Sequence, residues 1–385
     1  MRKPTVRNQS GCPLPPSHDS PKTSDRSDEG AFRSHGGRRA ASPRRQLQRS
    51  TLVRIHASQF PEQIRRELLD SLRRRQINHK FHYQSVKQAT KWLRLHRAYS
   101  PSKTDRDCSR IYQLSFEAAA ARIKAKRVHV IGLGCGNGEK EAAILGLLTK
   151  SRETLFTPSD VSVPLVLTAR KAASRLIAEG NCLPLVCDLQ TANDLPQFFD
   201  EQTHRVAVRL CTFFGMIPNF VPQFILPRLA SLIRDEDWLL FSANLAPGPN
   251  YKEGVEKILP LYDNSLTRDW LLTFLFDLGV EPADGKLVFS IEEDRAGLLR
   301  IAADFLFSRR TQILVDEERF VFPRGAAIRL FFSYRYTPRL VASLLRGHGL
   351  VVADQWITGS QEEGVFLCRC DPGVESLKGK AWKMR

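Results

Sequence analysis

The stretch Val128–Lys140, V-H-V-I-G-L-G-C-G-N-G-E-K, constrains this chain more than any other. A β-branched run, Val128 to Ile131, enters a turn with glycines at Gly132, Gly134, Gly136 and Gly138, and an amphipathic stretch, Lys140–Leu148, follows. Strand, glycine turn and helix in this order let a backbone approach a nucleotide-like ligand closely. The unpaired N–H groups of the helix start then face that ligand.

The pattern after the turn alternates strands and helices, as in a doubly wound parallel sheet. Strands are expected at Thr154–Ser159, Leu183–Val186, Arg205–Leu210 and Trp238–Ala243, with helices at Val163–Ala178 and Pro222–Ile233. Beyond Asn244 the alternation breaks. Tyr251–Leu278 reads as two helices around Tyr262, and Leu287–Ile291, Arg300–Phe307, Gln312–Val315 and Arg319–Phe322 read as strands of a β-rich insertion. Ile328–Tyr336 follows, then a helix over Thr337–His348 capped by Thr337 with Pro338 at its first position, then closing strands Val351–Trp356 and Val365–Cys370. Upstream, Pro61–Leu72 and Ile111–Lys124 have helical spacing, Trp92 and Leu95 are core candidates, and Tyr99 sits in a loop before Pro101.

Charge divides the chain. Residues 1–50 carry +7 and residues 51–110 carry +9 of a net +17, so the glycine-turn region itself is close to neutral. A nucleic-acid enzyme would spread its positive field around the cleft, and nucleic acid is therefore not the expected partner. Residues 1–52, rich in Ser, Pro, Arg and Gly, cannot bury enough surface to fold alone and are expected to be a disordered basic segment. A nucleic-acid arm, an organellar presequence or a phosphorylated tail would each suit that composition, with the prolines and Asp19, Asp25, Asp28 and Glu29 counting against the presequence. A start of translation near Leu52 or Val53 would leave the segment untranslated. No apolar run is long enough for a membrane span and no apolar leader opens the chain, so a cytoplasmic location is expected. The eight cysteines lack zinc-ligand spacing and read as reduced thiols, Cys135 included; no metal site is expected.

Two ligand classes use such turns. Dinucleotide folds want G-x-G-x-x-G, whereas Gly132 to Gly138 run G-x-G-x-G-x-G. An S-adenosylmethionine site wants a tight glycine turn, a carboxylate after the second strand for the ribose hydroxyls, and an Asp after the third near the adenine amine. Asp160 and Asp188 meet both demands, which makes S-adenosylmethionine the expected cofactor.

The ordered set of motifs resembles the histidine-specific S-adenosylmethionine-dependent methyltransferases of ergothioneine synthesis. Gly132 through Lys140 is similar to their E-L-G-S-G-x-x-x-K, and Ser159-Asp160-Val161-Ser162 to their D-V-S. Phe213–Phe220 is similar to F-L-G-S-x-I-G-N-F, Leu240–Leu245 to the strand ending in G-x-D, Leu261–Asn264 to A-Y-N-D, and Gly325–Tyr336 to G-E-x-I-x-x-E-x-S-x-K-Y. The order and gaps agree from about residue 75 to 370. The resemblance implies a Rossmann-like methyltransferase sheet (class α/β), a helical N-terminal part and a second α+β substrate domain inserted before the last strands. The expected division is 53–115 helical, 116–250 cofactor-binding, 251–335 substrate-binding insertion, 336–372 completion of the sheet, and 373–385 a basic tail.

Gly132, Gly134, Gly136, Lys140, Asp160, Asp188, Leu189 and Gly215 would hold the cofactor. Tyr99, Asn219, Tyr262, Phe331 and Ser333 would hold the substrate, with Asn219 on its carboxylate. No catalytic residue is assigned. Five departures matter: Gly132 stands where the relatives open the turn with a carboxylate, Pro218-Asn219 replaces their Gly-Asn, Asn244 replaces the Asp of G-x-D, and Ala326 and Phe331 replace two glutamates. A phenyl ring cannot accept an imidazole N–H, so histidine is a poor substrate. The expected activity is N-methylation of a small amine or another amino acid. An inactive binding scaffold and a nucleic-acid methyltransferase guided by the basic N-terminus are the alternatives.

Overall fold

The computed structural model describes residues 50–203 and 207–371. The basic tail and all but the last three residues of segment 1–52 lie outside them, as does Cys12. The described residues from Thr51 onward belong to one compact unit.

An N-terminal arm holds strand β1 (Arg54–Ile55) and helices α1 (Pro61–Arg74), α2 (Val86–Tyr99), α3 (Pro101–Thr104) and α4 (Arg106–Arg122). The core then runs β2 (Arg127–Leu133), α5 (Glu139–Leu148), β3 (Glu153–Asp160), α6 (Val163–Ala173), β4 (Leu185–Val186), α7 (Leu195–Thr203), β5 (Val208–Phe213), α8 (Pro222–Leu232) and β6 (Trp238–Asn244). The insertion holds α9 (Tyr251–Tyr262), α10 (Ser265–Asp277), β7 (Gly285–Glu293), β8 (Leu299–Phe307), β9 (Thr311–Val315), β10 (Glu318–Phe322) and β11 (Ala327–Tyr334). Helix α11 (Pro338–Arg346) and strands β12 (Leu350–Ile357) and β13 (Glu363–Cys370) close the chain.

The main sheet has eight strands in the order β1-β4-β3-β2-β5-β6-β13-β12. β1 to β6 run parallel, and β13 enters antiparallel to both β6 and β12. This is a Rossmann-like α/β sheet, as expected. The order reverses at β2, between β3 and β5, so the crevice outside its carboxyl end is where such sheets take ligands.

Strand periodicity sends Ile131 and Leu133 to one face and Val128 and Val130 to the other. The first pair packs under α8 and α11 through Leu226, Leu229 and Leu345; the second packs under α4 and α5 through Phe116, Ile144 and Leu148. The insertion forms a separate antiparallel sheet, β11-β8-β7, with a β9–β10 hairpin beside it. Its core joins α1 and α10 through Leu72, Trp270, Phe274 and Phe305. No helix among the described residues is long and apolar enough to cross a membrane.

Several expected boundaries shift. The N-terminal part is not purely helical, because Arg54 and Ile55 extend the sheet edge beside Leu185 and Val186. Tyr99 closes α2 rather than sitting in a loop. The helix expected to reach Ala178 stops at Ala173, where the chain turns so that Leu176 and Ile177 pack on the core. Strand β5 reaches Phe213 rather than Leu210, and its expected start at Arg205 lies outside the described residues. Helix α7 was not expected, although Leu195, Phe198 and Phe199 carry its spacing. Thr337 does cap α11, accepting from the Leu340 amide at 3.2 Å with Pro338 behind it.

Candidate active site

The glycine turn leaves β2 at the switch point and bends through left-handed conformations at Gly134 (φ 64°), Gly136 (φ 54°) and Gly138 (φ 70°). Gly138 is the N-cap of α5, and a Cβ there would lie 2.6 Å from the Ala169 Cα. Only glycine allows both the conformation and the helix contact. Trp92 lies over Gly136 and Met216 over Gly134, at 2.8 and 2.7 Å from where a Cβ would stand. Trp92 packs against the insertion core, as expected, and also roofs the turn.

A cavity of about 460 Å³ opens above this turn. Of the sequence-predicted cofactor residues, Gly134, Gly136, Lys140, Asp160, Asp188, Leu189 and Gly215 line it. Gly132 is buried and is not part of the lining. Of the predicted substrate residues, Tyr99, Asn219, Tyr262 and Phe331 line it and Ser333 does not. Tyr99 is half exposed at its edge.

Asp160 ends β3 pointing back at the turn. Its two oxygens accept from the Gly136 amide at 3.1 Å and the Ser162 amide at 3.0 Å. Burial pushes its carboxyl up to about 6, against the pull of those amides. Each oxygen keeps a lone pair for a further donor. Asp188 follows β4, and its amide donates to Ser58 Oγ at 2.9 Å. Oδ1 accepts from the Gln190 amide at 2.8 Å. Oδ2 lies 3.4 Å from Lys80 Nζ in a buried ion pair. Lys80 itself is buried and sits 2.6 Å from Glu67 Oε2. Burial raises the Asp188 carboxyl while Lys80 opposes that shift.

Lys140 turns away from the carboxylates of β3 and β4. Its ammonium stands 4.1 Å from the Tyr112 ring centroid and 5.4 Å from that of Phe214, a cation–π arrangement. Burial lowers its pKa while Glu363 and Glu141 hold it up. Tyr112 donates its hydroxyl to Glu363 on β13. Cys135 is buried in the turn, and burial raises its thiol, as befits an inert small side chain.

The opposite wall comes from the insertion and the arm. Tyr262 donates to Ser333 Oγ at 2.8 Å and accepts from Arg335 Nη2 at 2.8 Å. Ser333 therefore sits behind Tyr262. Asn219 donates one Nδ2 hydrogen to the Phe332 carbonyl at 3.0 Å, which leaves its second N–H and its oxygen for a ligand. Phe331 faces Trp270 at 5.7 Å and Tyr262 at 6.4 Å between centroids.

Sequence reasoning missed His79. It lies edge-on to Phe331 at 5.4 Å and to Phe332 at 4.6 Å, and lines the cavity. Neither ring nitrogen has a hydrogen-bond partner among the described residues. Burial, helped by His82 and Arg300, pushes it down to about 3, so the ring is neutral. Glu141 was missed as well: it is buried, lines the cavity, and accepts from Thr212 Oγ1 at 2.8 Å.

No protein-family model matches the chain, and no curated protein matches it. Solved structures that resemble it include the CcbJ methyltransferase from Streptomyces caelestis, at 12% identity over 67% of this chain and 94% of that one, with a TM-score of 0.35. Another is the 1,6-didemethyltoxoflavin-N1-methyltransferase of Burkholderia thailandensis with bound 1,6-didemethyltoxoflavin and S-adenosylhomocysteine, at 13% identity over 73% and 86%, TM-score 0.37. A third is a SAM-dependent methyltransferase from Bacteroides fragilis in complex with S-adenosyl-L-homocysteine, at 10% identity over 66% and 76%, TM-score 0.32. These likenesses are slight, and the functional reading rests on the cavity's own chemistry.

Proposed function

We propose that this chain is an S-adenosylmethionine-dependent methyltransferase that N-methylates a small amine, or an amino acid other than histidine. The observation that carries the reading is the placement of Asp160 and Asp188, two buried carboxylates that follow adjacent parallel strands and line one cavity beside the glycine turn. Asp188 accepts from the Gln190 amide and pairs with Lys80, and a carboxylate so held can accept a further donor such as an adenine amine. Asp160 would take the ribose hydroxyls on its remaining lone pairs, and the glycine turn would carry the amino-acid end past bare backbone. Bound there, the cofactor supplies an electrophilic methyl group on its sulfonium.

The chain's own residues would do the rest by positioning. Asn78, His79, Asn219, Tyr262, Trp270 and Phe331 line the far side of the cavity and carry no charge at neutral pH. Such a wall favours an amine as its free base, the form that keeps a lone pair for the methyl group. Neutral His79 can accept the amine's N–H and orient its lone pair. Phe331, in place of a carboxylate, removes the partner an imidazole substrate would need.

Incubation with labelled S-adenosylmethionine and a panel of amines, amino acids and oligonucleotides, read by mass spectrometry, tests the reading. Methylated amines are expected. Transfer to oligonucleotides alone would overturn the acceptor class.

A further inference from the structure

Five carboxylates line the cavity: Glu139, Glu141, Asp160, Asp188 and Glu363. Four already have strong partners. Glu139 is exposed and paired with Lys103. Asp160 takes two backbone amides. Asp188 has the Gln190 amide and the nearby Lys80 ammonium. Glu363 takes the Tyr112 hydroxyl.

Glu141 differs. It is only 3% exposed and makes no ion pair among the described residues; the neutral Thr212 hydroxyl is its side-chain hydrogen-bond partner, helped by its own backbone amide and, at a distance, by the Lys140 ammonium. A buried carboxylate without a direct ion-pair partner is expensive unless a cation joins it. Burial also raises its pKa, which such a cation would reverse.

Its position is equally specific. A Cβ added at Gly132 would lie 3.3 Å from Glu141 Cγ and 3.6 Å from Cδ. The Glu141 side chain therefore packs against the bare face of Gly132, beside the turn whose opening residue lacks a carboxylate. The carboxylate reaches this corner from the first turn of α5 instead of from the end of β2.

We infer that Glu141 is the residue that holds the α-ammonium group of the cofactor's amino-acid end. The inference rests on the cofactor reading above. A charge-assisted hydrogen bond from that ammonium would satisfy the second carboxylate oxygen in a site shielded from water. Gly132 is then not a lesion in the cofactor site; its missing side chain gives Glu141 room.

Isothermal titration of the full chain with two ligands separates the possibilities. S-Adenosylhomocysteine carries the amino-acid end, and 5′-methylthioadenosine shares its adenosine and thioether without it. Glu141→Gln, which keeps the shape, is expected to weaken S-adenosylhomocysteine about 10- to 100-fold and leave methylthioadenosine within about twofold. Glu141→Asp, which keeps the charge, should fall between Gln and the natural residue. An α-deaminated S-adenosylhomocysteine should bind the natural chain as weakly as the natural ligand binds Glu141→Gln, and lose nothing further in that variant. An unchanged S-adenosylhomocysteine affinity, or an equal loss for both ligands with methylthioadenosine binding intact in the Asp variant, would overturn the inference. Failure of the natural chain to bind either ligand would remove the cofactor reading, and the inference with it.

Discussion

The two walls of the cavity are built by different rules. The turn-side wall is backbone and carboxylate: left-handed glycines, helix-start amides, and Asp160 and Asp188 at the ends of adjacent parallel strands. The far wall is side chains from separate parts of the chain, with His79 from the arm against Phe331 and Phe332 from the insertion sheet, and Tyr262 from α9. The first wall is constrained by the fold, because any Rossmann-like sheet delivers those strand ends to one edge. The second is free to vary without disturbing the sheet, so it is where acceptor choice resides.

Breaking the turn should have the largest effect. Gly138→Val sets a branched side chain at φ 70° and against Ala169, and should cost about 3 kcal/mol or more, read as a lower Tm with no ligand present. Asp160→Ala should leave the fold intact and weaken S-adenosylhomocysteine about 100-fold or more by titration. Next comes acid. His79 and His82 are held neutral by burial, at about 3 and about 4, so between pH 6.5 and those values the unfolded chain binds protons that the folded chain refuses. Stability therefore falls as pH drops through that window, by up to about 1.4 kcal/mol per pH unit for each ring. His79→Phe should flatten part of that slope in urea melts.

Ligand binding should show a different pH window. Asp160 takes up its proton near about 6, and the protonated acid has less to offer a hydroxyl donor, so S-adenosylhomocysteine affinity should fall about tenfold from pH 8 to pH 5. Asp160→Asn should remove that dependence. The smallest effect sharpens the contrast: Tyr262→Phe removes a hydroxyl that bridges Ser333 and Arg335, and should change S-adenosylhomocysteine affinity by no more than about twofold while altering methyl transfer.

The contrast also explains what could be read from sequence. Gly134, Gly136 and Asp160 announce themselves because their partners are close in the chain or fixed by strand order; the Gly136–Asp160 bond joins residues 24 apart. The insertion's strands were legible from alternation and polar turns. His79 carried no signal in a His-Lys-Phe-His run, since only the packing of the arm onto β11 gives it a role. Glu141 was hidden for a related reason: on a helix start a glutamate reads as a dipole partner, and its proximity to Gly132 exists only once α5 folds back on β2. The two-residue strand β1 is too short to show a period, and it forms because Leu185 and Val186 offer an edge.

Titration of the full chain with S-adenosylhomocysteine at neutral pH tests the central claim most directly. The account predicts saturable binding at one site per chain, lost in Asp160→Ala and retained in Tyr262→Phe. No binding by the natural chain, or binding untouched by Asp160→Ala, would contradict it.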